Sequence, residues 1–309
     1  MVTDFGADVA FAQVMDKLVE HYGVLLGEST IRRITEGHAQ TIFDTAQLTE
    51  SWPVQTGAET VIAQMDGGMV PIVEPDAAQK DQRKGKQLLW KEAKICLAHA
   101  KGSTTLAYGG TLQGDVAQAG RELMSCARLA GFGSNSRVHA VGDGAEWIAT
   151  EVEEKFGARG GYLVDFYHVC DYLSAAAKAV TNTAQAAEVW MVEQKERLKT
   201  QRAGEVVQAL RPHLEPASVE PDDEAPVRQC HRYLSNRMHQ LDYQSALAND
   251  LPIGSGEIES AHRYIVQQRL KRPGSWWRAA SADHMLALRI NRANRQWNAY
   301  WAGDLKQAA

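Results

Sequence analysis

Two short apolar segments that each run into an aspartate constrain the fold of this chain more than any other feature. The segment "RVHAVGDGAEWI" is typical of a strand that ends at Asp143, and "GYLVDFYH" of a second strand that ends at Asp165. A short helix is predicted between them. A strand, a helix and a second strand form a parallel βαβ unit, which predicts an α/β protein with both acids at one edge of its sheet.

Three further strands are predicted ahead of this unit. "TVIAQMDGGMVPIVE" (60–74) reads as a strand, a tight turn and a strand, because Asp-Gly-Gly between apolar runs is a strong hairpin signal. "LWKEAKICLAHA" (89–100) alternates in polarity and predicts a third strand, and a helix is predicted over 116–129. Three antiparallel strands followed by a parallel βαβ unit match the ribonuclease H-like fold, with a mixed five-stranded sheet.

The remaining segments are predicted to be helical. Two N-terminal helices joined by a Gly-containing turn form either a helix-turn-helix, with Arg32 and Arg33 on its second helix, or an ordinary helical hairpin. From Tyr172 to about Ala248 the composition favours helix and no strand pattern occurs. The predicted segments are N-terminal helices at 1–57, a first part of the sheet domain at 58–172, a helical insertion at 173–249 and C-terminal helices of the sheet domain at 250–309.

Composition excludes several classes of protein. The chain has 309 residues, of which 44% are hydrophobic and 23% charged, so it can bury a core and general disorder is excluded. No apolar run approaches the roughly 20 residues that span a bilayer, and the N-terminus does not resemble a signal peptide. Four scattered cysteines favour a reducing compartment over a disulfide frame or a zinc site. We therefore expect a cytoplasmic protein without a membrane partner.

Three acids fall where the predicted fold brings the ends of its elements together. Asp66 ends the first strand, Asp143 ends the fourth, and Glu259 lies in the first turns of a late helix, in "GSGEIES". Carboxylate oxygens select Mg²⁺ or Mn²⁺, and two such ions support in-line phosphoryl transfer. Each acid also has a structural interpretation, because Asp-Gly marks turns and Glu259 can pair with Arg263 one turn later.

The same segments carry a family resemblance. "DGG", "GDGAEWI", "DFYH" and "GSGEIES…QQRLKRPGSWW" resemble the DDE transposases of bacterial insertion sequences, nearest to the ISKra type of the Mutator-like group, over about 60–301. The resemblance implies a ribonuclease H-like core with a helical insertion, and cutting and rejoining of double-stranded DNA with two Mg²⁺ or Mn²⁺ ions. It implies a catalytic and metal-binding triad of Asp66, Asp143 and Glu259, with Glu257 as the rival for the third place.

The resemblance has further implications and one departure. We expect a homodimer on DNA, associated with the bacterial nucleoid. Only about 55 residues precede the first predicted strand, whereas such transposases usually carry a longer region that binds the transposon ends. Specific recognition of DNA ends is therefore not implied by this chain.

Asp165 and His168 match a second pattern of the family. Mutator-like transposases carry Cys or Asp, two residues and then His on the fifth strand. The resemblance implies supporting roles near the active site, with His168 facing the site or bound to a phosphate or water. The residues alone favour Asp165 as a helix cap and His168 as a core histidine, and both interpretations stay open.

A basic stretch near the C-terminus is the expected DNA contact. The net charge is -5, but cations far outnumber acids between Arg263 and Arg295. Cations would neutralise phosphates and an indole would stack on an unpaired base. The predicted DNA-binding residues are Arg263, Arg269, Lys271, Arg272, Trp276, Trp277 and Arg278. A helix corner with at least one tryptophan in the core is the alternative.

Two other functions fit the sequence. A catalytically silent or repurposed transposase-derived protein would only hold DNA, which the retention of all three acids disfavours. An actin-like-fold sugar kinase would use "DGGMV" as a phosphate loop, but "VGDGAEW" is a poor second loop. Metal-dependent nicking of DNA and ATP turnover distinguish these functions.

Overall fold

Helices and strands account for most of residues 1–76, 78, 85–216, 218 and 224–303, which the computed structural model describes. In chain order the elements are α1 (Val2–Asp8), α2 (Phe11–Tyr22), α3 (Glu28–Thr45), β1 (Ala58–Pro75), β2 (Lys86–Ala100), β3 (Ala107–Thr111), α4 (Val116–Leu129), β4 (Phe132–Gly142), α5 (Glu146–Phe156), β5 (Gly160–Val164), α6 (Phe166–Val180), α7 (Ala184–Lys199), α8 (Ala203–Leu210), α9 (Pro226–Asn236), α10 (Tyr243–Ala248), α11 (Gly256–Ala261), α12 (Gln268–Leu270), α13 (Ala279–Ala293) and α14 (Trp297–Ala302). A π-helical turn, His262–Gln267, joins α11 to α12.

The five strands form one mixed sheet in the order β3-β2-β1-β4-β5. β1 pairs with β2 and β2 with β3 in antiparallel fashion, whereas β4 and β5 are parallel. The start of β1 is fixed beside the start of β4, because the Ala58 amide donates to the Gly131 carbonyl at 2.9 Å and the Ser136 hydroxyl donates to the Ala58 carbonyl. The predicted α/β class with a mixed five-stranded sheet is confirmed.

The Asp-Gly-Gly segment is not a turn, so the predicted boundaries of the first strands are wrong. Asp66 and Gly68 lie in the middle of β1, paired with Ile95 and Ala93 of β2, and the first acid therefore does not end its strand. The physical reason for this difference is a contact with a residue that is far away in sequence. A Cβ atom on Gly68 would lie 2.7 Å from Nδ1 of His262, so the glycine provides clearance for that imidazole. The third strand is β3, which the sequence analysis missed.

Every element described between residues 166 and 248 is a helix or a helical turn, as the composition predicts. Contacts divide the chain into two compact units, residues 1–137 with 256–309, and residues 138–255. In the second unit, a hydrophobic core joins β5 to helices α6, α7, α8, α9 and α10. Those helices are therefore stabilised mainly by their shared apolar face rather than by intrinsic propensity.

The N-terminal helices belong to the first unit and pack against its C-terminal helices. α3 buries Ile31, Thr35, Ala39 and Ile42, and Ala39 and Ile42 join the same core as residues of α13. Its exposed face carries Arg32, which pairs with Glu36 one turn later at 3.1 Å. In the described ranges, no helix combines the length and apolar character needed to cross a bilayer.

Two residues predicted to bind DNA are instead buried in the core. Arg269 is 2% exposed and its guanidinium lies 4.7 Å from the ring centres of both Phe11 and Trp277, which is itself 5% exposed. Its Nε donates to the Gly6 carbonyl at 2.9 Å, at the end of α1, where helix carbonyls lack partners within the helix. Burial lowers the pKa of Arg269 to about 10, so it stays charged at neutral pH. The prediction of DNA contact is wrong for Arg269 and Trp277.

Replacing Arg269 with alanine tests this structural role. Arg269→Ala removes the stacked guanidinium and its bond to α1, so we expect the free energy of unfolding to fall by about 3 kcal/mol. The matched control is Lys271→Ala, two residues later and exposed, which should change stability by no more than about 0.5 kcal/mol. Urea denaturation measures both variants, and equal stabilities would contradict the assignment.

Candidate active site

Asp66 is held on β1 by its own backbone and by a buried histidine. Its Oδ1 accepts a hydrogen bond from the Gly67 amide at 2.8 Å, and its side chain is 33% exposed. His262 is buried, with Nε2 3.4 Å from Asp66 Oδ2 and 3.2 Å from the Asp66 carbonyl oxygen. The imidazole therefore restrains the carboxylate while leaving it accessible to solvent.

The two glutamates of α11 have different environments, and this separates the candidates for the third acid. Glu257 Oε2 lies 3.1 Å from both His99 Nε2 and Gln64 Nε2, while Gln64 Oε1 accepts from the Ile258 amide at 2.9 Å. The hydrogen bond that His99 donates to the Glu257 carboxylate raises the pKa of His99, and burial opposes this shift. Glu259 is exposed on the same helix. Glu257 therefore anchors α11 to β1 and β2, and the contacts with His99 and Gln64, rather than exposure, distinguish it from Glu259.

Asp143 lies in the second unit, directly after β4, in a loop whose carbonyls are bound by α9 and by the residue that follows it. Its Oδ1 accepts from the Ala145 amide at 2.8 Å, and its carbonyl accepts from the Tyr233 hydroxyl at 2.5 Å. Arg237 Nε donates to the Gly144 carbonyl at 2.8 Å. Gly144 has φ of +90°, and a Cβ there would lie 2.5 Å from the Tyr233 hydroxyl. The "GDG" motif thus marks a left-handed turn packed tightly under α9.

Asp165 uses both carboxylate oxygens in structural hydrogen bonds. Its Oδ1 accepts from the amides of Tyr167 and His168, at 2.6 and 3.2 Å, which caps α6. Its Oδ2 accepts from the Ser255 amide at 2.6 Å and from the Ser255 hydroxyl. The residue is 4% exposed. These contacts support the cap interpretation and explain the serine of "GSGEIES", which binds Asp165.

The segment before Ser255 is tied down at two further points. The His139 ring, on β4, lies with Nε2 2.8 Å from the Pro252 carbonyl, and burial lowers the pKa of this histidine. The Phe166 amide donates to the Ile253 carbonyl at 2.8 Å. The chain that leads into α11 is therefore held by β4 and by the start of α6.

His168 packs within an aromatic cluster of the second unit. Its ring centre lies 5.5 Å from that of Tyr172 and 5.9 Å from that of Tyr233, and the two tyrosines stack at 4.2 Å. The imidazole is half-buried. Its supporting role near the active site stays a prediction.

The other residues predicted to bind DNA differ in their availability. Arg263, Lys271 and Arg278 are exposed, and Trp276 is 59% exposed. Arg272 donates from Nη2 to Gln13 Oε1 at 3.0 Å and from Nη1 to the Asp8 carbonyl at 3.3 Å, so part of its hydrogen-bonding capacity is used within the protein.

The three acids fit a hard divalent ion in donor chemistry, because each offers carboxylate oxygens at a partly or fully exposed position. Among the residues that the structure describes, however, no three His, Cys, Asp or Glu side chains are grouped closely enough to hold a metal. Asp66 and Glu259 belong to one unit and Asp143 to the other. Their convergence on one site stays a prediction.

Sequence reasoning missed the residues that hold the acids in place. His262, His99, Tyr233 and Arg237 each contact an acid or its loop. One signal was available, because His262 follows Glu259 by three residues, which puts both on one side of a helix. The tyrosine and arginine have no local signal, since their partners lie about 90 residues away in sequence.

Substitution of Asp165 tests its structural assignment. Asp165→Asn weakens four hydrogen bonds to a buried carboxylate, so we expect the free energy of unfolding to fall by about 2–3 kcal/mol. Asp171→Asn, on the exposed side of the same helix, is the control and should be nearly neutral. Thermal and urea unfolding measure the difference. An unchanged stability of Asp165→Asn would show that these four hydrogen bonds do not stabilise the fold.

No protein-family model matches the chain, and a search of the curated proteins gives no match.

Proposed function

We propose that this chain is a DNA transposase that hydrolyses phosphodiester bonds and transfers strands through Asp66, Asp143 and Glu259. The observation that carries the proposal is the sheet. Its order β3-β2-β1-β4-β5, antiparallel over β1 to β3 and parallel for β4 and β5, supports a ribonuclease H-like fold. Asp66 lies on its central strand, and Asp143 follows the adjacent β4.

The helix that carries the third acid supports the same proposal. α11 follows the long helical segment, and Gln64 of β1 binds its first turn through the Ile258 amide. Gln64 is two residues from Asp66, and Ile258 precedes Glu259, so this bond links the local backbones of two of the three acids. The exposed Glu259 carboxylate is free of the contacts that engage Glu257.

In this mechanism, the three carboxylates would hold two Mg²⁺ or Mn²⁺ ions, which when bound activate an attacking oxygen and stabilise a leaving oxygen. The protein's own residues orient those carboxylates. His262 and the Gly67 amide restrain Asp66, and the Ala145 amide restrains Asp143. Such restraint keeps the reacting geometry in place before substrate arrives, which is the main contribution a protein makes to phosphoryl transfer.

The proposed partner is double-stranded DNA, bound chiefly through phosphates. The exposed cations Arg263, Lys271 and Arg278 and the exposed indole of Trp276 are the candidate contacts. A homodimer on DNA and association with the nucleoid stay predictions of the family resemblance.

Conservative substitution of each acid tests the catalytic assignment. Asp66→Asn, Asp143→Asn and Glu259→Gln keep the side-chain shape but remove the charge, so each should reduce Mg²⁺- or Mn²⁺-dependent nicking of DNA by at least about 100-fold. The measurement is conversion of supercoiled to nicked plasmid. Full activity of any one variant would remove that residue from the triad, and DNA binding without nicking by the native chain would favour a catalytically silent protein.

Glu257→Gln is the matched control, on the same helix. Because Glu257 anchors His99 rather than reacting, this variant should keep nicking activity but lose stability. The pH dependence of this stability loss follows from the raised pKa of His99. The ion pair stabilises the fold when His99 is protonated, and this stabilisation is lost as the pH rises through that pKa. The stability loss should therefore be larger at pH 6 than at pH 8.5. Loss of nicking by Glu257→Gln with unchanged stability would instead indicate that Glu257, and not Glu259, is the third acid.

The exposed cations make a separate prediction about binding. Arg263→Ala with Lys271→Ala removes up to two phosphate contacts, so the slope of log affinity against log salt should shrink by roughly 0.9 per contact. Lys91→Ala, an exposed cation on β2 outside the basic stretch, is the control. Affinity for unrelated duplexes between 50 and 200 mM salt gives the slopes. Tight, salt-insensitive and sequence-selective binding would instead indicate base readout by the N-terminal helices that carry Arg32 and Arg33.

A further inference from the structure

The first part of β2 has a neighbouring strand on one side only. β2 runs from Lys86 to Ala100 and pairs with β1 from its first residue, but β3 pairs only with residues 94–98. Within the described part of the chain, no strand or bridge continues the sheet beside residues 86–92, which we call the β2 edge. Outward-facing backbone amides and carbonyls of the β2 edge are therefore available to another strand.

The β2 edge carries large apolar side chains that are exposed. Leu88, Leu89 and Trp90 are 47%, 41% and 55% exposed. Side chains alternate along a strand, so Leu88 and Trp90 share one face of the sheet, beside Val73 and Pro71 of β1. Proteins usually cover an apolar sheet edge or block it with proline or a bulge, so an uncovered one indicates a place where a further strand pairs.

The sequence of the β2 edge, "KQLLWKE", is complementary to itself when two copies run antiparallel. With a two-fold axis at Leu89, each apolar side chain lies opposite an apolar side chain of the other copy. One cation and one acid lie opposite each other at each end, and no two charges of the same sign are opposed. The opposed pairs are Leu88 with Trp90, Leu89 with Leu89, Lys86 with Glu92, and Gln87 with Lys91.

The neighbouring registers lack this complementarity. An axis at Trp90 would place Leu88 opposite Glu92 and Lys86 opposite Lys94, and an axis at Leu88 would place Lys86 opposite Trp90. Opposite charges and apolar pairs across two strands are stabilising, whereas like charges directly opposite each other are destabilising. The pattern of charges therefore selects the central axis.

Both charged ends of the β2 edge are available for contact with a second copy. Lys86 is exposed, and the side chain of Glu92 is 41% exposed. Glu92 Oε2 lies 3.3 Å from Lys94 Nζ of the same strand. A partly exposed ion pair of this kind contributes little free energy, so it leaves the carboxylate able to pair with a second cation.

We propose that two copies of this chain associate through the β2 edge, by antiparallel pairing of residues 86–92 about a two-fold axis at Leu89. The β1–β2 hairpins of the two copies then form four continuous antiparallel strands, which satisfies the backbone groups of both edges. Because both copies use the same surface, the association closes at the dimer. It requires neither DNA nor a divalent ion, so it stands or falls independently of the proposed transposase activity.

Sedimentation velocity of the full chain without DNA, at concentrations from about 1 to about 100 μM, tests the association. The average mass should rise from that of one chain toward that of two. Leu89→Lys places two ammonium groups opposite each other at the axis, so self-association should weaken at least about tenfold. Leu129→Lys, at a leucine of α4 that is 56% exposed, is the control and should associate like the native chain.

Two results would overturn the proposal. One is a native chain that stays monomeric over the whole range of concentration, and the other is unchanged association of Leu89→Lys. Thermal unfolding checks that this variant is folded, and where it is not, the cross-linking of Leu89→Cys decides instead.

Cross-linking tests the register. Residues directly opposite each other in an antiparallel pair have Cα atoms about 4.5–5.5 Å apart, within reach of a disulfide. Leu89→Cys should therefore form a disulfide between copies when oxidised with copper phenanthroline. Gln87→Cys is the control, because its two copies lie four residues out of step, about 14 Å apart along the strands. All four natural cysteines are buried and are common to both variants. Absence of the Leu89→Cys disulfide, or equally fast cross-linking of Gln87→Cys, would contradict the proposed axis.

Charge reversal separates the proposed ion pair from the effect of net charge. Lys86→Glu and Lys91→Glu change the charge of the chain equally, but only Lys86 lies opposite an acid in the proposed dimer. At about 50 mM salt, Lys86→Glu should weaken association about fivefold more than Lys91→Glu, and the difference should disappear near about 0.5 M salt. Equal effects of the two variants at low salt would show that Lys86 does not face Glu92 and would overturn the register.

Discussion

The second unit depends most on the hydrogen bonds that the Asp165 carboxylate accepts. It accepts two amides at the start of α6 and two donors from Ser255, while its own amide donates to the Gly142 carbonyl at 2.7 Å. The ends of β4 and β5, the first turn of α6 and the residue before α11 are thereby joined at one buried anion. Such an anion is stable only because every oxygen is satisfied. The acid at the strand-to-helix junction therefore has a structural role in holding these segments together.

The basic stretch shows why charge along a sequence does not define a charged face. Arg269 and Arg289 are buried and bind the last carbonyls of α1, and Arg292 pairs with Asp4 and Asp8 at 3.0 and 2.8 Å. Arginine suits this task, since its planar guanidinium both stacks on aromatic rings and donates several hydrogen bonds. Several arginines of the basic stretch therefore join the N-terminal and C-terminal helices of the first unit instead of forming a charged surface.

Local patterns predicted the elements whose cause is local. The strands that end before Asp143 and Asp165 and the helix over 116–129 agree with the structure, because apolar runs and capping residues lie beside one another in sequence. The prediction of a turn at Asp-Gly-Gly was wrong, because the glycine at position 68 is required by its close contact with His262, which is distant in sequence. For the same reason the sequence proposed the three acids but could not show that Glu257 is engaged by His99.

The helical segment explains how a flexible motif becomes an ordered loop. A Gly-Asp-Gly turn has little structure of its own, since glycine loses the most conformational freedom on ordering. Tyr233 and Arg237 bind the carbonyls of Asp143 and Gly144, and the Tyr162 hydroxyl accepts from the Gly144 amide at 2.9 Å. Tyr233 is in turn fixed by stacking on Tyr172 and by the Arg237 guanidinium, 4.2 Å from its ring centre. The helices after β5 are therefore more than a spacer between the second and third acids, because they fix the backbone from which Asp143 projects.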